Sequence, residues 1–63
     1  MSAWKTVAAT DVLVGDVIDH QHADHATTEG RVIEVVSTEA YVVRVQGQRP
    51  VVLFKDETIE VFR

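Results

Sequence analysis

Apolar and polar residues alternate most clearly in residues 30–47, where two valine-rich runs flank a short polar turn and a glycine closes each end. Successive side chains of a strand point to opposite faces, so this period of two predicts a β-hairpin. β-branched residues dominate both runs, and they pack better on a pleated sheet than in a helix. Residues 37–40 contain no glycine and predict a four- or five-residue loop built on a type I turn.

The same alternation divides the apolar residues between an inner and an outer face. In the first run, Ile33 and Val35 fall on the side opposite to Val32 and Val36. Continued through the later runs, the alternation predicts a core of Ile33, Val35, Val43, Val45, Leu53, Ile59 and Val61. The apolar residues left for the outer face are Val32, Val36, Val42, Val52 and either Phe54 or Phe62. Because one small core cannot bury both faces, either the first strand with Trp4 covers the outer residues or they form a contact surface.

Elsewhere, short apolar runs separated by turn residues predict further strands. A single helical turn is expected at residues 12–14, and the Gly-Asp turn after it redirects the chain. The expected strands outside the hairpin are residues 1–9, a strand that begins at 17–18, residues 51–54 and residues 58–62. Five or six short strands with at most one helical turn predict an all-β fold, and only a small β-barrel fits 63 residues. We therefore expect a single domain over residues 1–63, with Trp4 in its core or plugging one end.

Residues 19–29 have no apolar periodicity and contain all three histidines of the chain, so they are expected to form a loop. The spacing of His20, His22 and His25, with carboxylates alongside, is that of a candidate zinc or nickel site. Two alternatives remain open for this loop. It is either a solvated polar segment that binds no cofactor, or a pH-responsive segment, because histidine gains its charge between pH 5 and 8.

Composition weighs against several classes of function. Six basic against ten acidic residues give a net charge of −4, and the basic residues are scattered, which makes nucleic acid an unlikely partner. No apolar run approaches the roughly 20 residues that span a bilayer, and no cysteine is present, so we expect a cytoplasmic protein without membrane contact. Ser2 and Ser37 offer no activated nucleophile, and we expect no enzymatic activity.

Residues 14–18 and 30–35, which read VGDVI and GRVIEV, resemble the KOW motif of ribosomal proteins and transcription elongation factors. That resemblance covers under half of the chain and implies an SH3-like barrel with a nucleic-acid-binding or transcription-associated role. Ala23 and Thr27 stand where the motif would have glycine, and histidines and acids replace its basic loop residues.

A longer resemblance, over residues 14–61, is to a small actinobacterial domain family of unknown function that also has an SH3-like barrel. It is carried by residues 15–16, 30–35 and 41–44, followed by Phe54 and Asp56, in that order and with similar gaps. The resemblance implies an SH3-like β-barrel and supplies no activity.

These observations predict a non-catalytic binding or accessory module that binds a protein partner or a second copy of itself through an apolar outer face. The expected partner surface consists of Val32, Val36, Val42, Arg44, Val52 and Phe54. The alternatives are a KOW-like nucleic-acid module and a metal-binding or pH-responsive histidine loop on the same barrel.

Overall fold

The computed structural model describes residues 2–63, which form one six-stranded antiparallel sheet and a single 3-10 turn. The strands are β1 (Trp4–Ala8), β2 (Val17–Gln21), β3 (Thr27–Ser37), β4 (Tyr41–Val45), β5 (Val51–Leu53) and β6 (Thr58–Phe62). The 3-10 turn occupies Ala9–Asp11. Met1, the first residue of the predicted first strand, lies outside the described residues. The all-β class, with six short strands and one helical turn, is confirmed.

The strands follow the order β1-β6-β2-β3-β4-β5 in the sheet. β1 and β5 are therefore its two edges, and the sheet is not closed, in contrast to the closed barrel expected from the chain length. The resemblance to SH3-like barrels stays a prediction. β1 pairs with β6 and lies at one end of the strand order, while β5 lies at the other end.

The core is built from the inward side chains of the sheet and from the segment that contains the 3-10 turn. It consists of Ala9, Val12, Ile18, Val32, Val43, Val45, Val51, Leu53, Ile59 and Val61. The predicted inward positions on β4, β5 and β6 are confirmed, because burial alternates strictly along these strands from Val43 onwards. The predicted hairpin of residues 30–47 is confirmed by the pairing of β3 with β4, although its loop has three residues rather than four or five.

A β-bulge in β3 overturns the predicted faces of Val32 and Ile33. Val32 lies opposite Val45, but the next paired residue is Glu34, opposite Arg44, so Ile33 is an extra residue in the ladder. An extra residue shifts the alternation by one position. Val32 is consequently buried at 1% exposure, whereas Ile33 is 48% exposed. Both were predicted on the opposite faces, because strict alternation was extended through the bulge.

The predicted histidine loop is mostly a second hairpin. β2 continues to Gln21 and pairs with β3, which begins at Thr27, so only residues 22–26 connect the two strands. The polar composition predicted a loop, but polar side chains also suit this hairpin. One of its sides faces solvent, while Thr28 is buried. His25 has a positive φ of 71°, which reverses the chain in the connection.

Two local predictions near the N-terminus are wrong. The 3-10 turn precedes the predicted residues 12–14, where Val12 is extended and buried because it belongs to the core. Trp4 does not fill the core, and it does not cover the apolar residues of β3 and β4. Its ring lies on the outer face of β1 against Phe62, with 5.4 Å between the ring centroids.

Candidate functional site

The outer faces of β3, β4 and β5 carry three valines in register, which lead from the interior of the sheet to its edge. Val36 lies opposite Val42, and Val42 lies opposite Val52. Directly opposed side chains on neighbouring strands are in contact range, so the three form a continuous row, here called the valine row. Val52 is 56% exposed on the edge strand, and Val42 in the middle is partly buried by its neighbours.

The bulge adds a fourth apolar side chain to this surface. Ile33 lines an open cleft of about 420 Å³ together with Val42, Arg44 and Pro50. Phe54 follows the edge strand and is 63% exposed. The valine row with Ile33 and Phe54 is here called the apolar face. Contiguous exposed apolar residues with a polar rim are typical of contact surfaces.

Five of the six predicted partner-surface residues lie at the surface, and one does not. The residues at the surface are Val36, Val42, Arg44, Val52 and Phe54. Val32 is excluded from any partner surface because the bulge turns it into the core. Ile33 takes its place, and no feature of the sequence marks the bulge that exposes it.

Arg44 is held beside the apolar face by a cross-strand ion pair with Glu34. The Nε–Oε1 distance is 3.5 Å, and both side chains are more than half exposed. Such an exposed pair contributes at most about 1 kcal/mol to stability. The ion pair affects the electrostatics of the surface, because its two charges cancel beside the apolar side chains.

The structure brings two of the three candidate metal ligands together. The rings of His20 and His22 meet edge to face with 5.1 Å between their centroids, whereas His25 lies in the exposed connection. Across residues 2–63, no group of three or more His, Asp or Glu side chains is arranged to hold a metal ion.

A hydrogen-bond chain assigns the proton of His22. The Thr28 hydroxyl donates to the Arg49 carbonyl at 2.5 Å, so its only proton is used there. His22 Nε2 lies 2.7 Å from the same hydroxyl oxygen and must therefore be the donor in that contact. In this tautomer Nε2 carries the proton, Nδ1 keeps the lone pair, and the ring connects the β2–β3 hairpin to the segment before β5.

A second contact fastens the same two segments. Arg49 Nη1 donates to Asp24 Oδ2 at 2.7 Å, and the backbone N–H of Ala26 donates to the other carboxylate oxygen at 3.2 Å. The Arg49 hydrogen bond and then that of Ala26 lower the pKa of Asp24. The histidine connection is thus tied to the chain before β5 by side chains that the sequence pattern did not pair.

Acidification is expected to destabilise the fold through His20. Burial first and the neighbouring His22 second lower the pKa of His20 below its ordinary value of 6.5, while Glu57 opposes the shift. The unfolded chain then binds a proton at higher pH than the folded chain, so stability is full above about pH 6.5 and falls as the pH drops towards the folded pKa. The melting temperature should decrease between pH 7 and pH 5, and His20→Gln should reduce that decrease.

The measurement is thermal unfolding by circular dichroism in buffers matched for ionic strength. His25→Gln, which removes a histidine from the exposed connection, is the control for the loss of one imidazole. An unchanged slope in the His20→Gln variant would contradict the assignment to His20.

Comparisons of the chain with protein-family models, with curated proteins and with solved structures gave no match. Within residues 2–63, no helix is long and apolar enough to cross a membrane. The functional interpretation therefore rests on the geometry of the surfaces.

Proposed function

We propose that this protein is a non-catalytic interaction module whose apolar face binds an extended, apolar segment of a partner protein. The observation that carries the proposal is the valine row, which extends across three strands and ends on the edge strand β5. Exposure of three adjacent valines to water is unfavourable, and a partner that covers them lowers the free energy by burying their apolar surface.

The edge position of β5 favours an extended segment as the ligand. No strand follows β5 in the sheet order of residues 2–63, and an edge strand is a template for an added strand. A segment beside β5 would place alternate side chains over Val52 and Phe54, which are the exposed apolar residues at that edge. The Glu34–Arg44 pair and the polar end of the cleft would form the rim of the interface.

The alternative of a nucleic-acid ligand has less support. All four arginines make hydrogen bonds or ion pairs within the chain: Arg31 to the Gly15 carbonyl, Arg44 to Glu34, Arg49 to Asp24, and Arg63 to Asp16. Binding to a phosphate backbone requires cations that displace counterions, and a net charge of −4 opposes that encounter. A second copy of the chain is the other alternative. It carries the same net negative charge, so the two copies repel each other electrostatically.

Val52→Lys is expected to abolish partner capture while leaving the fold intact. Val52 is more than half exposed, so the substitution costs little stability, but a lysine at the centre of the interface would have to be desolvated. Val14→Lys is the matched control. Val14 is 65% exposed in the turn before β2, and its replacement by lysine changes the net charge by the same amount. The wild-type chain and Val14→Lys should capture the same protein from a lysate of the native host, and Val52→Lys should lose it.

Two results would count against the proposal. Capture of the partner by Val52→Lys at the wild-type level would show that the valine row is not the interface. Sedimentation that shows a dimer in the wild type and a monomer in Val52→Lys would instead identify a second copy as the occupant.

A further inference from the structure

A second outer surface begins with an exposed aromatic pair at the other end of the sheet. Trp4 of β1 and Phe62 of β6 lie opposite each other, their ring planes tilted by 57°. Trp4 is 51% exposed, and Val17 of β2 borders Phe62 on its other side. An exposed tryptophan ring presents a π-face that attracts cations.

Two carboxylates line a cleft together with Trp4, and a third lines the neighbouring cleft. Asp19 lines a cleft of about 300 Å³ together with Glu29 and Trp4. Asp19 and Glu60 line a second cleft, of about 290 Å³, so Asp19 belongs to both clefts. Within residues 2–63, none of these three carboxylates has a lysine or arginine nitrogen within 4.0 Å.

Asp19 and Glu29 are also directly opposite each other in the β2–β3 ladder. Like charges at directly opposed positions repel and destabilise a hairpin. Arg31, opposite Val17, donates from Nη1 to the Gly15 carbonyl at 2.8 Å, and it forms no ion pair with either carboxylate. The hairpin therefore keeps a repulsion that a bound cation would relieve.

We propose that this surface binds a lysine- or arginine-rich extended segment of a partner protein. An ammonium or guanidinium group would lie against the Trp4 ring and between the carboxylates of Asp19 and Glu29, and a second cation would reach Glu60. Charge complementarity selects this occupant, because Trp4 shares its cleft with two carboxylates, Asp19 also borders a third, and none of the three pairs with a cation within residues 2–63. The same charges repel nucleic acid and anionic lipid. The surface is separate from the apolar face and does not depend on the function proposed above.

The direct test is a titration of the isotope-labelled protein with a short peptide that alternates lysine and serine, followed by NMR. The control peptide has glutamine in place of each lysine. The lysine peptide should shift the resonances of Trp4, Phe62, Asp19 and Glu29, and the glutamine peptide should not. The apparent affinity should fall when the salt concentration rises from about 20 mM to about 150 mM, since exposed charges are then screened.

Variants of the carboxylates should have opposite effects on binding and on stability. Asp19→Asn and Glu29→Gln should each weaken binding of the lysine peptide by about fivefold, the upper range for one exposed ion pair. Both should raise the melting temperature, by about 1–5 °C, because the cross-strand repulsion is removed. Trp4→Leu, which retains apolar area without the π-face, should weaken binding by about twofold to fivefold.

Glu39→Gln is the matched control, because it makes the same charge change in the exposed loop between β3 and β4. Equal weakening by Glu39→Gln and Asp19→Asn would overturn the proposal, as it would show attraction by net charge alone. Wild-type peptide binding by Asp19→Asn together with a raised melting temperature would also overturn it. Retained peptide binding by Val52→Lys would show that this surface acts independently of the apolar face, whereas peptide shifts confined to the valine row would contradict the proposal.

Discussion

Arg63→Ala is expected to destabilise the fold by about 2–3 kcal/mol, because it removes the charged hydrogen-bond donor of a buried carboxylate. Asp16 is only 4% exposed, and Arg63 donates to both of its carboxylate oxygens, from Nε at 3.0 Å and from Nη2 at 2.7 Å. Without the guanidinium, the one hydrogen-bond donor left to the carboxylate within residues 2–63 is the backbone N–H of Leu13, at 2.9 Å. The melting temperature should decrease by more than about 8 °C, at about 4–8 °C per kcal/mol for a domain of this size.

Arg44→Ala is the control for this prediction, because its ion pair with Glu34 is exposed and its loss should cost at most about 1 kcal/mol. Asp16→Asn added to Arg63→Ala should recover part of the stability, since it removes the uncompensated buried charge. Urea unfolding of the four proteins measures these differences. Equal stability of Arg63→Ala and Arg44→Ala would contradict the structural importance of the Asp16 pair.

The second large effect is expected from Gly30→Ala, at about 2–6 kcal/mol. Gly30 has a φ of 134°, which a residue with a Cβ adopts only under strain, and an added Cβ would lie 3.0 Å from Val45 Cγ1. Backbone strain of this kind costs about 1–3 kcal/mol, and overpacking of a core side chain adds about the same. The position matters because Gly30 lies opposite Ile18, where β3 crosses the core between its two hairpins.

Gly47 separates the two causes of this loss. Its φ of 73° is also positive, but an added Cβ would have no atom within 4 Å. Gly47→Ala should therefore cost only the conformational part, about 1–2 kcal/mol, and Gly47→Asn less, because asparagine tolerates the left-handed region. Equal losses in Gly30→Ala and Gly47→Ala, measured by urea unfolding, would show that the contact with Val45 contributes nothing.

Side-chain alternation predicted those strands in which it is uninterrupted. β6 has the predicted bounds, and Ile59 and Val61 face the core as expected. β4 and β5 also follow the predicted alternation, because a strand packed on one face must place every second side chain in the core. The same rule failed in β3, where one extra residue moved Ile33 out and Val32 in.

The candidate sites divide in the same way. The apolar excess on the outer face was readable from the sequence, and five of its six predicted residues lie at the surface. The histidine spacing suggested three ligands, but the structure brings His20 and His22 together and leaves His25 in the exposed connection. The surface formed by Trp4, Phe62 and the carboxylates of Asp19, Glu29 and Glu60 was not predicted. The three carboxylates come from three strands, and only the pairing of those strands brings the carboxylates together.

The sequence by itself determined the all-β class, the turns at Gly15 and Gly47, and the existence of more apolar strand residues than one core can bury. These are consequences of local preference and of period, which act over a few residues. Only the tertiary structure decided the bulge at Ile33, the open order of the sheet, the pairing of Asp16 with Arg63, and the meeting of Trp4 with Asp19 and Glu29. Each of these depends on which strands become neighbours and in which register, and packing of the whole chain sets that choice.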